Sequence, residues 1–510
     1  MLGQVVFPAA DGNHVGFIAV GHDLQLSDPH HVAVDEGIGI PGLLPTTETI
    51  HELMHVRVFV EQSFGLAYYC VKGHNLMIGF LLITIAWTVL SLLGANFATP
   101  EFLSTTAFYS DGEPVKIMAI LNKIFQSAPE GWGTTLVNVC WGAWFGRVLM
   151  ETGIASTLIR KTVELGGDKP IVTIALLNIV TAIIFTAMTG AGPVIAIGVI
   201  VLPIMMSLGV PKAIAMFSFM ESVAAGIYLN PVNFAQYRAF FIGVDEMPDF
   251  TLGWYAGRWG YAAVVVSVVL ATVLSAIFLK KSKTSHAWAA QTRGAEQKDA
   301  PIYTLLLPIV PVVLKIWLDF SVIGGFVIAG FAALFLCGKM KGTFKENCQL
   351  VNKLYYDGVV DTAPLVGFLL TLPMFNQVAS YASPFFKVIL GPVMPKSELV
   401  VCILFAVLLG LGLFRGPMTL VGCGAATLGV LRGVASFSIP FLYCVFAIPT
   451  ITVNIGSCIT QSWVAWGLAY TKVDSKDYLK LSIPFAYITG IILYILTFVC
   501  VGGLGAEWFI

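Results

Sequence analysis

Thr189-Gly190-Ala191-Gly192-Pro193 stops an apolar run that begins at Ile171, and Asn230-Pro231-Val232-Asn233 stops the next one. Later in the chain Phe414-Arg415-Gly416-Pro417-Met418-Thr419 and Thr452-Val453-Asn454-Ile455-Gly456-Ser457 interrupt apolar runs in the same way. The two sets are in register. Gly192-Pro193 matches Gly416-Pro417, and 417 − 193 = 224; Asn230 matches Asn454 at that offset, as do Met150 with Met374, Ser156 with Ser380, Gly209 with Gly433 and Phe217 with Phe441. Identity along the rest of the alignment is little above chance. The weight rests on where the matches fall, which is on the residues that break helices.

The runs around these breaks decide the class. The chain has 510 residues, 57% apolar and 11% charged, and a mean hydropathy of +0.85, far from the roughly 25% charge of a soluble domain. A formal net charge of −1 leaves no basic surface for nucleic acid. Hydrocarbon cannot satisfy exposed backbone groups, so a spanning helix needs about 20 apolar residues. Clear runs are Leu76 to Ala95, Thr134 to Leu158, Ile171 to Met188, Trp254 to Leu279, Ile302 to Leu318, Val322 to Cys337, Gly358 to Ala379, Leu399 to Phe414 and Leu481 to Val501. With the interrupted stretches this predicts an all-α polytopic protein of the cytoplasmic (inner) membrane with about 12 to 14 crossings.

Basic loops (Arg160, Lys161 and Lys169; Lys280 to Lys298; Lys339 to Lys353) read as cytoplasmic, and loops carrying Glu101, Asp111, Glu113 and Glu130, or Asp245, Glu246 and Asp249, as outer. The first half then begins outside and the second inside, which makes two inverted repeats. The expected division is residues 56–279 and 302–510, joined by a polar cytoplasmic linker at 280–301. The nine cysteines form no C-x-x-C pair and read as small buried hydrophobes.

Broken helices in register point to transport. Backbone freed from helical bonding is tolerated at mid-membrane only where it lines a polar cavity. There, half-helix N-termini face an anion, and freed carbonyls with Asn, Ser and Thr oxygens can hold a cation. The expected substrate-binding set is Thr189, Gly192, Pro193, Asn230, Asn233, Arg415, Gly416, Pro417, Thr419, Asn454 and Ser457. Arg415 beside its Gly-Pro break suits a carboxylate bidentately. Glu221, mid-run before Asn230, suits a coupling proton. Arg147 and Glu151 are four apart and are expected to pair with each other. Asp361 and Asp319 read as interfacial, and Arg432 as a contact to headgroups or a helix C-terminus.

At these residues the chain resembles a family. The run from Leu76 to Phe241, with Trp141-Gly142-Ala143-Trp144-Phe145-Gly146, Glu151-Thr152-Gly153 and the Gly-Pro break, is similar to the first half of the gluconate:proton and citrate–metal symporters of the ion transporter superfamily. In the second half Gly416-Pro417-Met418-Thr419-Leu420 lies where gluconate permeases carry Gly-Ser-Ala-Thr-Val, and Val453-Asn454 with Trp463 resembles their Val-Asn-Asp-Pro-Gly-Phe-Trp element. The departures are Pro417-Met418 for Ser-Ala, Ile455 for the Asp, and an Arg415 with no clear equivalent. The resemblance implies a symporter for a small organic anion such as gluconate, citrate or a C4-dicarboxylate. It also implies H⁺ or Na⁺ as the coupling ion, no cofactor and a homodimer.

Two rivals come from other classes. A Na⁺/H⁺ antiporter of the same build would use Glu221 equally well. His51-Glu52-Leu53-Met54-His55 is a formal zinc-protease motif, but its candidate third ligands are poor: Glu61 is too near and His74 sits in a loop. The expectation is therefore a non-enzyme with no resident metal. Residues 1–55 are anomalous: they hold no lysine, they hold six of the eight histidines, and they lack a span. They read as a disordered or non-native segment, and Val56 to Val71, with Arg57 and Glu61, as a poor span.

Overall fold

The computed structural model describes residues 75–503 almost throughout, with Gly65, Tyr68 and Tyr69; 105, 111, 168, 242–246, 248, 282–298, 391–394, 423, 435–436 and 504–510 lie outside the described residues, as does the rest of the chain before Asn75. The 1–55 segment, the His51–His55 motif, most of Val56 to Val71 and the interior of the linker therefore lie outside the described residues.

Local chemistry sets the helix ends. Helix α1 (Leu76–Phe97) starts where the Asn75 side chain accepts the Ile78 N–H. The expected span Thr134 to Leu158 is two helices, α2 (Gly133–Glu151) and α3 (Ile154–Gly166), because Gly153 between them has φ 75°, a left-handed conformation glycine adopts at no steric cost. Then follow α4 (Pro170–Phe185), α5 (Ala191–Ser207), α6 (Lys212–Ile227) and α7 (Pro231–Arg238). Helix α8 runs without a stop over Leu252–Lys281. Beyond the linker come α9 (Ile302–Leu318), α10 (Val322–Leu336) and α11 (Phe344–Leu390). Helix α12 (Glu398–Val407) continues into a 3₁₀ turn at Leu409–Arg415, and α13 covers Gly424–Val434. Helix α14 (Ile439–Ile448) widens into a π-helical segment, Pro449–Ser457, and is followed by α15 (Ser462–Thr471) and α16 (Ser475–Cys500).

By length and composition α1, α8, the stretch Ile439–Thr471 and α16 can each cross a bilayer. The pairs α6–α7, bent by 67°, and α12 with its 3₁₀ turn, bent by 63°, raise the number to six, and α4, α5, α9 and α10 are shorter apolar helices. The about 12 to 14 crossings expected from apolar runs alone thus resolve into full spans, bent pairs and half-length helices.

The surface pattern is inverted relative to a soluble protein. On α8 the exposed side chains are Val265, Val269, Val273 and Ile277, while Ala263, Ser267, Ala271 and Ser275 face inward. Large apolar groups outside and small residues at the helix contact are what lipid demands, since lipid gives no hydrophobic drive between helices. On α1 the inward Thr84 and Thr88 hydroxyls donate back to Phe80 O and Thr84 O, so these two side chains are satisfied within the helix. The chain is a multi-pass, all-α membrane protein.

Two elements are buried on every side: α6 from Ile214 to Ile227, and α14 with its π segment from Pro440 to Ser457. They pack on each other, with α4 and α8 against α6 and α16 against both. Every break lies on this central pair or beside it.

Candidate functional site

The first break is the connection from Phe185 to α5. Gly190 has φ 97°, which only glycine takes without strain. Pro193 falls in the first turn of α5, where its missing N–H costs nothing. Asn230 ties this break to the second. Its Oδ1 accepts the N–H groups of Val232 (2.9 Å) and Asn233 (3.2 Å), capping α7, and its Nδ2 donates to Phe185 O (3.0 Å) and Met188 O (3.1 Å). With both amide atoms engaged, Asn230 positions the two breaks and offers no free group to a ligand. Asn233 donates to the Tyr237 hydroxyl at 3.3 Å, and its Oδ1 is buried without a partner among the described residues. Thr189, at the start of the first break, is buried.

In the second half the chain turns sharply at Phe414 and Arg415, both in the left-handed region (φ 55° and 61°), and Gly416 lies so close to Leu411 O that no Cβ fits. The Gly416-Pro417-Met418-Thr419 turn brings Thr419 Oγ1 to 3.4 Å from Thr450 Oγ1, which also accepts the Leu420 N–H at 3.0 Å. Arg415 donates to Gln461 Oε1 at 2.9 Å and to Val421 O at 3.4 Å, so the guanidinium staples the two second-half breaks together.

Asn454 departs from the expectation. It does not mark a break: the helix continues through it as a π turn and ends at Cys458 to Gln461. Its counterpart Asn230 is followed by a proline, which stops α6 and opens α7, whereas Ile455-Gly456 can stay helical. π turns of this kind recur at functional sites. Asn454 is fully buried, and neither amide atom has a hydrogen-bond partner among the described residues.

Around it the two halves meet. The Tyr228 hydroxyl and Thr452 Oγ1 lie 2.6 Å apart, and these residues are themselves separated by the repeat offset of 224. Ser457 Oγ donates to Glu221 Oε1 at 2.9 Å, while Glu221 Oε2 is unpartnered among the described residues. The Tyr478 hydroxyl donates to Gly456 O. Gly456 is needed there, since a Cβ would fall 2.2 Å from Glu221 Oε2. Ser482, whose carbonyl lies 3.4 Å from Ser457 Oγ, keeps a buried hydroxyl of its own with no partner among the described residues.

The expected Arg147–Glu151 pair is not formed. Arg147 Nε and Nη2 instead donate to Asp361 Oδ2 and Oδ1, both at 2.5 Å, and Glu151 lies 3.4 Å from Lys339. The partner 214 residues away wins because α11 packs directly on α2. Asp319 pairs with Lys315 on an exposed helix end, and Arg432 occupies the last turn of α13. Asp361, read from the sequence as interfacial, instead lies against Arg147 and Gly192, and Tyr228, Thr450, Thr452, Gln461, Tyr478 and Ser482 are site residues the sequence did not single out. A repeat-based signal existed for Tyr228 and Thr452 alone. Of the described cysteines, Cys402, Cys444 and Cys458 are buried as expected, Cys140, Cys337 and Cys500 half-buried, and Cys348 exposed. Among the described residues no three His, Cys, Asp or Glu side chains gather as a metal site.

A solved structure shares this fold. The YdaH transporter of Alcanivorax borkumensis, described as having an unusual topology, superposes with a TM-score of 0.51 at 15% identity, over 85% of this chain and 99% of that one. No family model matches the sequence, and no curated protein matches it. The likeness is one of fold.

Proposed function

We propose that the protein is a secondary active transporter, a symporter that moves a small organic anion, a hydroxy- or polycarboxylate such as gluconate, citrate or a C4-dicarboxylate, together with H⁺ or Na⁺. The observation that carries the reading is Asn454: a fully buried amide with no partner among the described residues, on a π turn where the two halves meet. An unsatisfied buried amide costs roughly 1–3 kcal/mol, a cost best explained by a ligand that satisfies it. Thr419, Thr450 and Ser457 lend neutral oxygens to the same segment, and Arg415 holds the turn that bears Thr419. Glu221, at the Ser457 hydroxyl, is the group assigned to the coupling ion. The fold shared with a protein described as a transporter supports the same class.

The test is uptake of labelled citrate, gluconate and succinate into proteoliposomes under imposed H⁺ or Na⁺ gradients. Accumulation of one carboxylate driven by one gradient is expected, with loss on Arg415→Ala and Asn454→Ala. Uptake untouched by both substitutions would sink the site. Charge movement driven by cation gradients alone would replace the symporter with a Na⁺/H⁺ antiporter, which Glu221 also suits.

A further inference from the structure

The Arg147–Asp361 pair is not explained by the binding site above. Both side chains remain partly exposed, at 30% and 17%, whereas Glu221, Asn230 and Asn454 are at 0%. The two donors of the guanidinium meet the two oxygens of the carboxylate one to one, the fork geometry Arg offers to any carboxylate. Asp361 also leans on the first break. A Cβ on Gly192 would fall 2.4 Å from Asp361 Oδ2, so the carboxylate lies against the first turn of α5. That turn has unpaired N–H groups and a positive dipole end, and no side chain caps it. The sequence pattern assigns this place to a substrate anion, and a carboxylate of the protein occupies it.

Taking the transporter reading as given, we propose that Asp361 is a resident stand-in for the carboxylate of the substrate. The incoming anion displaces it from Arg147 and from the α5 terminus, and the pair re-forms when the substrate leaves. Arg147 is then a substrate-binding residue and Asp361 its internal competitor. A pair of this kind is weak as a stability device, since desolvation offsets the attraction. It is well placed as an exchange device, because Arg147, Asp361 and Gly192 stand on three helices, α2, α11 and α5. Small residues hold the geometry: at Gly358, one turn before Asp361, a Cβ would come 2.8 Å from the Ala143 backbone.

The experiment is a KM comparison in proteoliposomes with labelled citrate, gluconate and succinate, alongside membrane insertion judged by fluorescence-detected size exclusion. Removing the competitor with Asp361→Asn is expected to lower KM about tenfold, equivalent to about 1.4 kcal/mol, with insertion unchanged. Asp361→Ala is expected to lower KM in the same direction, while Arg147→Gln raises it or abolishes uptake and Arg147→Lys falls between. If Asp361→Asn leaves KM unchanged, or loses uptake together with Arg147→Gln, the pair is structural and the inference is overturned. Wild-type protein that takes up none of the three carboxylates overturns the carboxylate-symporter reading on which the proposal rests, before any variant is compared.

Discussion

Asn230 and Asn454 stand 224 residues apart, at the offset of the sequence matches, are both fully buried, and are expected to fail in opposite ways when substituted. Asn230→Ala removes a helix cap and strands the carbonyls of Phe185 and Met188 and the amides of Val232 and Asn233. A lost cap costs about 1 kcal/mol and buried groups left unpaired roughly 1–3 kcal/mol more, so a loss of about 2–4 kcal/mol follows. Asn454→Leu removes no hydrogen bond and replaces two desolvated polar atoms by methyl groups of similar volume, so stability is expected to hold or rise. The assay is thermal melting of each detergent-solubilised variant, paired with uptake by the reconstituted protein. Asn230→Ala should melt several degrees lower and retain uptake in proportion to the folded fraction. Asn454→Leu should melt at or above wild type and transport nothing. An Asn454→Leu protein that is as unstable as Asn230→Ala yet active would refute the assignment of Asn454 to the ligand.

Gly456→Ala would drive a methyl group into Glu221 Oε2, and uptake is expected to fall by more than an order of magnitude in protein that still reaches the membrane. Tyr228→Phe breaks the 2.6 Å contact with Thr452; a double-mutant cycle with Thr452→Val, read by thermal melting, should return a coupling of about 1 kcal/mol. Glu151→Ala removes only a half-exposed contact to Lys339 and should change stability by less than about 1 kcal/mol, with uptake unaltered. Deletion of residues 1–50 should leave transport intact, and loss of uptake with normal insertion would restore a role to the histidines.

Legibility tracked how local the determinant was. Asn230-Pro231 carries its own cap and its own first-turn proline, Gly190 its own backbone freedom, and Gly416 the missing Cβ that its turn requires, so these breaks stand where the sequence puts them. The π turn at Asn454 has no local signature. It depends on Leu420, Tyr478 and Glu221 arriving from other elements. Arg147 shows the same limit from the other side: a partner four residues away was in plain view, and packing supplied a better one on a helix far along the chain. The repeat marked positions that matter without distinguishing what they do, since one Asn became a brace and its counterpart an unpartnered amide.

The burial of α6 has a consequence for biogenesis. Glu221 finds its Ser457 partner only after a further 236 residues have been made, roughly 10–50 s at ordinary synthesis rates of about 5–20 residues per second. During that interval α6 carries a carboxylate that lipid rejects and has only first-half neighbours to shelter it, α4 and α5 made before it and α8 made soon after. Insertion of α6 is therefore provisional until the second half is complete, and a chain truncated before Pro449 should be retained by the insertion machinery or degraded as an orphaned half.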